Sequence, residues 1–427
     1  MPTTLRPWIF TAALLAQGPD LCGQTFRQTQ TDDYTRYELL DPETQSFRIL
    51  YDVTATAAGA KFYFNSIRVG SEPTLHGVYD LMTGAELPSE IVDGETARKA
   101  GMLNANPRGQ YIQVTLARPV PEGGQARIRI DKTYKDPASY TADGDTVRFA
   151  RSLGIKRNAV VLPVGYELIG CNYPSQVATE ADGRLKISFM NSGPASAPLE
   201  VTGRKLPPSR SEEPAPVARV ERLPGAAADS AARLSYQVPE RAFQDRDIVY
   251  FLQPPQTHSF RLYHDYTETR PGVDQYLNVV RAGSKVSNPS AFVLDTGQKL
   301  ETQTYTGREI REQNIDIGRP VADDTEVVVI RFDAVKPGQS VRLRIEETYT
   351  DANRYVVSGD ELVWDRSFGR PRNTVVLPVG WYVTASSIPA VVRTREDGRI
   401  SLGYWNGRPD QIRVFVKAKR RGEKRPR

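Results

Sequence analysis

The sequence predicts an all-β protein made by tandem duplication of one antiparallel β-sandwich unit. Three observations carry that expectation. The stretch Arg127–Asn191 aligns without a gap onto Arg342–Asn406, with 27 of 65 positions identical. Apolar and polar residues alternate with period two in segment after segment, the pattern of strands with one buried and one wet face. The 32 Gly and 31 Pro punctuate the whole chain and leave no helix-periodic stretch of three turns. A self-match of this length does not arise from composition, so each motif has an internal control in the other copy.

Along the chain, Met1–Gln24 comes first, with Arg6 ahead of the nine-residue apolar core Trp8–Ala16. This matches a secretory leader and is too short to span a bilayer, so an exported, periplasmic or extracellular protein is expected. No other stretch approaches the run of apolar residues that a transmembrane helix needs. The first repeat occupies 32–205 and the second 245–420. Upstream of the gapless block the match continues through Tyr37, Asn65 and Arg68, which fall on Tyr250, Asn278 and Arg281. A two-residue insertion in the second copy lies between about Gly94 and Gln125, as expected for a surface loop. Each unit has the length of one large sandwich or of two small ones. The segment 206–244, opening Pro207-Pro208-Ser209-Arg210, reads as a semi-extended linker with a short helical turn at Ala226–Leu234. A basic tail, 421–427, closes the chain.

The strands follow from the alternation in Phe47–Thr54, Tyr111–Leu116, Ala126–Tyr134 and Val341–Ile345. Ala159–Leu162 is continuously apolar and suits a strand covered on both sides, with Pro163 and Pro378 at strand ends. Asp182-Gly183 and Asp397-Gly398 have the chemistry of tight hairpin turns. Gly144-Asp145 with Gly359-Asp360, and Pro121–Gly124 with Lys336–Gln339, mark two further turns. Ten to twelve strands per unit are expected.

The charge pattern excludes one function class. Lys417–Arg427 holds seven Lys or Arg and one Glu, so that, although the whole chain carries +5, the chain without it sums to −1. No specific nucleic-acid partner is expected, and only the tail has the charge to touch anionic surfaces. The three histidines, His76, His258 and His264, are not shared between the copies. No metal site and no cofactor are expected from them. Asp143-Gly144-Asp145 matches a fragment of a calcium loop, but the second copy reads Ser358-Gly359-Asp360 and the remaining carboxylates are missing. No G-x-S-x-G is present, and no catalytic residue is assigned. Cys171 aligns with Ser386, which predicts a small buried residue there.

The most site-like motif is Arg151-Ser152-x-Gly154-x-x-Arg157-Asn158, matched by Arg366-Ser367-x-Gly369-x-x-Arg372-Asn373. Guanidinium forks near a glycine turn suit an anionic or sugar ligand, which makes Arg157, Asn158, Arg372 and Asn373 ligand-binding candidates. The competing reading pairs each Arg with an acid present in both copies, such as Asp136/Asp351 or Asp145/Asp360. Trp364, Trp381 and Trp405 replace Phe149, Tyr166 and Met190 in the second copy. They read as core fillers, except that Trp381 and Tyr382, just after Gly380, suit a binding rim. Together these features predict a non-catalytic exported binding, adhesion or assembly protein of the cell envelope. Its partner would be another envelope protein or a glycan. The alternative is a hydrolase or carbohydrate-processing enzyme with its site between the two units.

Overall fold

The computed structural model describes residues 27–207 and 239–421. The leader, the expected helical turn at Ala226–Leu234 and residues 422–427 of the tail lie outside the described residues. Over the described residues the chain is nearly all β, with two α-helices of six residues each.

The strands are numbered along the chain. In the first half, β1 (Gln30–Leu39), β2 (Ser46–Ala55), β4 (Glu72–Asp80), β7 (Ala126–Lys135), β10 (Arg157–Val161), β12 (Gln176–Thr179) and β13 (Leu185–Met190) form one sheet. Its order is β12-β13-β10-β1-β2-β7-β4. A four-stranded sheet runs β11-β14-β9-β8, from β8 (Tyr140–Asp143), β9 (Thr146–Leu153), β11 (Tyr166–Cys171) and β14 (Ala197–Lys205). A three-stranded sheet, β3-β6-β5, joins β3 (Phe62–Ser66), β5 (Ser89–Asp93) and β6 (Gln110–Thr115), and helix α1 (Gly94–Lys99) follows β5 directly.

The second half repeats this order. Its equivalents are β15 (Asp247–Leu252), β16 (Ser259–Glu268), β17 (Gln275–Val279), β18 (Lys285–Val293), β19 (Lys299–Thr306), α2 (Gly307–Glu312), β20 (Glu326–Arg331) and β21 (Val341–Thr350). They continue as β22 (Tyr355–Ser358), β23 (Glu361–Phe368), β24 (Arg372–Val376), β25 (Trp381–Ser386), β26 (Val391–Thr394), β27 (Ile400–Trp405) and β28 (Ile412–Arg420). One connection differs. The first half links β4 to the three-stranded sheet by a lone bridge, Tyr79 to Glu86. The second pairs Ala291 with Leu300 and Phe292 with Lys299, and so fuses the two sheets into one of ten strands.

Each half has fourteen strands, more than the ten to twelve expected. Edge strands such as β8 and β12, four residues long, are too short to show a period in the sequence. The pairing is antiparallel except in one place per half, where β1 lies parallel to β10 and β15 to β24. No hairpin constrains that pair, and β10 is buried along its whole length, which suits a parallel central strand. The two-residue insertion is a net effect. The α2–β20 connection is three residues longer than the α1–β6 connection, and the β20–β21 connection is one residue shorter than its counterpart.

Burial follows the alternation: β2 buries every second residue from Phe47 to Val53. Its inner face meets the four-stranded sheet, where Phe47 packs against Phe149 with ring centroids 5.2 Å apart. In the second half Trp364 takes the place of Phe149 and packs on Tyr250 at 5.3 Å, fully buried. Each such ring contributes about 1.5–3 kcal/mol by leaving water. The Asp-Gly turns close the β12–β13 and β26–β27 hairpins, with Gly183 and Gly398 at φ 83 and 77, left-handed values that other residues adopt at a cost.

The halves meet through buried polar contacts. Arg127 holds Asp295 in a two-pronged ion pair at 2.7 and 2.9 Å, both side chains at or below 5% exposure. Gln125 donates its backbone N–H to Leu294 at 2.9 Å. The end of the segment read as linker is packed here rather than solvated. Arg241 is buried and donates to the carbonyls of Gly369 and Asn406. Guanidinium groups this deep need acceptors, which neighbouring strand ends supply.

Candidate functional site

Arg157 and Asn158 open β10, and Arg372 and Asn373 open β24. Arg157 is buried and donates from Nη1 to the carbonyls of Ala242 and Phe243, both at 2.9 Å. Arg372 donates from Nη2 to the carbonyl of Asp245 at 2.9 Å. Asn158 and Asn373 reach back three residues, to the carbonyls of Ile155 at 2.7 Å and Arg370 at 2.9 Å. The four side chains thus hold the incoming chain and the turn ahead of each strand. Trp381 opens β25 with its ring buried, while Tyr382, one residue on, is exposed. Strand alternation separates the two.

The other arm of the motif faces open space. Arg151, Ser152 and Gly154 line a cavity of about 500 Å³ in the first half, and Arg366, Ser367 and Gly369 line one of about 370 Å³ in the second. The two cavities share their walls: Tyr37, Asn65, Arg68 and Tyr134 stand where Tyr250, Asn278, Arg281 and Tyr349 stand in the other half. Strands β1, β3, β7 and β9 supply most of these side chains, brought together where the three-stranded sheet approaches the other two.

The charges inside differ. In the first cavity Arg151 is neutralised by Asp136 at 2.8 Å. Burial raises the Asp136 pKa, but hydrogen bonds from Ser139 and Ser71 and the Arg151 charge outweigh it and bring it below the usual range. Lys132, 4% exposed, donates to Asn65 Oδ1 and, at 3.1 Å, to Tyr134 Oη. Burial, with Arg151 adding repulsion, brings its amine down to about 7. In the second half the position of Lys132 is taken by Glu347, 1% exposed, which accepts from Asn278 at 2.7 Å. Burial pushes this carboxyl up to about 6 against the hydrogen bonds from Asn278 and Tyr349 and the Arg366 charge.

Arg366 is buried among the rings of Tyr250, Phe260 and Tyr349, at 5.0–5.4 Å. Its Nη1 finds no acceptor among the described residues. Asp351, the equivalent of Asp136, instead takes Ser284 Oγ at 2.8 Å and Arg354 at 3.6 Å. The expected retention of one Arg–acid pair therefore holds in the first half and not in the second.

Two large grooves also lie among the described residues. A groove of about 760 Å³ in the second half is walled by Phe251, Tyr263 and Trp381, with Arg261, Arg344, Arg399 and Arg420 around them. The Arg344 guanidinium lies 4.1 Å over the Tyr263 ring, the geometry of a cation–π contact. A second groove, about 620 Å³, runs between the halves and is lined by three of the predicted site residues, Arg157, Arg372 and Asn373, with Lys156, Arg393, Asp33, Asp247 and half-buried Trp405. Burial and the Arg393 charge lower the Lys156 pKa.

Cys171 is half-buried and Ser386 is exposed, so burial is not what keeps the position small. Both lie near a carbonyl two residues on, Sγ 3.3 Å from Tyr173 O and Oγ 2.7 Å from Ile388 O, which is the local turn chemistry they share. His76 meets Thr133 Oγ1 at 2.7 Å, His258 meets the Tyr355 carbonyl at 2.7 Å, and His264 is buried at the second cavity. Among the described residues no group of three or more His, Cys, Asp or Glu converges closely enough for a metal ion. No helix among them is long and apolar enough to cross a membrane.

Lys132 and Glu347 escaped sequence reasoning. The alignment placed them opposite each other in alternating strands, but a charged residue in such a strand reads as outward-facing. The visible signal was the company they keep, Asn65/Asn278 and Tyr134/Tyr349, identical in both copies.

No family model matches the chain, and no curated protein matches it. Among solved structures, an M1 zinc metallopeptidase from Deinococcus radiodurans is similar at 11% identity and a TM-score of 0.29, over 42% of each chain. A mutant of a two-domain M1 zinc metallopeptidase bound to L-arginine gives 12% identity and a TM-score of 0.28, over 40% of this chain and 41% of that one. The chain spans less than half the length of the solved structures it matches. At that level the likeness says nothing about what the chain does.

Proposed function

We propose that this is a non-catalytic binding, adhesion or assembly protein of the cell envelope, exported and built from two copies of a duplicated β-sandwich unit. The observation that supports the reading is the paired cavity. Both halves keep the hydrogen-bonding walls, with Tyr, Asn, Arg and Ser at matching positions, and exchange the buried titratable residue that hydrogen-bonds to them, Lys132 for Glu347. Proton-transfer chemistry demands a particular group at a particular pKa, whereas binding sites diversify by such exchanges. The groove that half-buried Phe251 and Tyr263 wall adds a partly apolar surface of the kind that receives a glycan or a partner protein.

The test is cosedimentation of the full chain with envelopes of its source cells and with their polysaccharide fraction. Saturable binding, weakened in an Arg151→Gln/Arg366→Gln double variant that keeps its circular dichroism, is the expected result. Release of sugar or peptide fragments from the same envelopes overturns the non-catalytic reading. The alternative, a hydrolase or carbohydrate-processing enzyme with its site between the units, draws on the groove that holds Asp33 and Asp247. It requires fragment release that Asp33→Asn or Asp247→Asn abolishes. Export is tested separately by cell fractionation and N-terminal sequencing of the mature chain.

A further inference from the structure

We propose that the second-half cavity binds a small organic acid, its carboxylate on Arg366 and Arg281 and its body against Tyr250, Tyr349 and Phe368. This rests on reading the paired cavities as binding sites and adds the ligand class of one of them.

The first observation is Arg366. It is 6% exposed, lines the cavity, and leaves Nη1 buried with no acceptor among the described residues. A buried guanidinium donor without an acceptor is costly, and the fold tolerates it here and not at the equivalent Arg151, which has Asp136. The acid that would do the same for Arg366, Asp351, is engaged through Oδ2 by Ser284 and Arg354, and its buried Oδ1 does not reach Arg366 Nη1.

The second observation is the charge of the walls. Arg281 and Arg370 line the same cavity; no carboxylate is among its described lining residues, and Glu347, which feels the Arg366 charge, is held by Asn278. Burial, then the neighbouring cations Arg366 and Arg354, lower the Arg281 pKa; burial and Arg246 do the same for Arg370. Three cations crowd one concavity, and an anion placed among them relieves desolvation and mutual repulsion together. The first half differs here too, since Ile155 stands at the position of Arg370.

The third observation sets the body of the ligand. Besides the arginines, the rings of Tyr250, Tyr349 and Phe368 and the apolar Ile248, Leu262 and Val279 share the wall with polar His264, Asn278, Asn373 and Gln411. A space of about 370 Å³ so lined exceeds what a bare inorganic anion fills and suits a carboxylate carried on a small body that is part apolar or aromatic.

Isothermal titration of the full chain with phenylacetate, phenylacetamide and inorganic sulfate tests this. Phenylacetate should bind saturably at one site per chain, and the uncharged amide and sulfate should each bind at least about tenfold more weakly. Arg366→Gln should weaken phenylacetate at least about tenfold, and Arg151→Gln should leave it unchanged. Arg281→Gln, at a half-buried position, gives the deciding measurement if Arg366→Gln fails to fold by circular dichroism. Amide binding as tight as acid, sulfate binding as tight as phenylacetate, or undiminished binding by a folded Arg366→Gln or Arg281→Gln overturns the proposal. No saturable phenylacetate binding also overturns it, while envelope binding in the cosedimentation test leaves the broader reading standing. Phenylacetate chemically altered on incubation instead overturns the non-catalytic reading, with the cavity still occupied.

Discussion

Lys132→Met separates the charge of a buried amine from its packing. The side chain is 4% exposed, donates to Asn65 and Tyr134, and lies 4.8 Å from the Tyr134 ring. Burial, then Arg151, lowers its pKa from 10.5 to about 7. Between those two values the unfolded chain carries a proton on this amine that the folded chain does not, so stability rises with pH across that window. Below about pH 7 both states hold the proton and the cost is constant. At about 1.4 kcal/mol per pH unit, wild type gains at most about 2.5 kcal/mol from this group between pH 7.5 and pH 9.5. Methionine keeps the length and lacks the charge. Its loss of two hydrogen bonds is an offset that does not change with pH. The stability of the variant minus that of wild type should therefore fall by about 2.5 kcal/mol between the two pH values. Urea titrations at pH 7.5 and 9.5, followed by circular dichroism, measure it. The described tryptophans, Trp364, Trp381 and Trp405, all lie in the second half, so their fluorescence reports that half separately. A difference that stays constant within about 0.5 kcal/mol at both pH values refutes the assignment of a depressed amine to Lys132.

Glu347→Gln should act in the opposite sense along the pH axis. The folded carboxyl, pushed up to about 6, is favoured below the unfolded value, and its contribution is lost as pH rises from about 4.5 through 6. The variant should gain on wild type by about 2 kcal/mol from pH 4.5 to 7.5 in urea titrations read by tryptophan fluorescence, and no gain refutes it. Asp295→Ala leaves Arg127 buried without its partner at the junction, and a loss of about 3–5 kcal/mol is expected, mostly regained in an Arg127→Met/Asp295→Leu double variant. A loss under about 1 kcal/mol in denaturant titration means that the pair does not tie the halves together. Gly94→Ala and Gly307→Ala place a Cβ 1.8 Å from the Asn106 carbonyl oxygen and 2.2 Å from that of Ala322. Each should lower stability by about 2 kcal/mol or more, seen as a fall in melting temperature, and an unchanged melting temperature refutes the close approach.

Much of the fold was legible because it rests on local chemistry. Alternation in β2 and β7 shows a half-buried strand whatever its partners are, and Asp182-Gly183 shows a turn because φ is a property of single residues. The identity of Arg127–Asn191 with Arg342–Asn406 reaches further and foretells that strand order recurs, as it does. The site was legible only in part. The motif at Arg151 and Arg366 stood out in the sequence, but that its first arginine lines a cavity within each half and its second the groove between the halves did not. Arg157 and Arg372 turn to backbone carbonyls of segments 85 and 127 residues away, a partner choice that no spacing records.

Periodicity, turn chemistry and self-similarity are written residue by residue, so the all-β class, the strand-and-turn grammar and the two matching stretches follow from the chain alone. Where charge is buried follows only from how the sheets pack. Lys132 and Glu347 alternate with apolar neighbours like any outward-facing residues, yet packing of β3 over β7 and of β17 over β21 encloses them. Burial depends on which surface comes to lie opposite, and that surface belongs to residues more than sixty positions away, Asn65 and Asn278 among them.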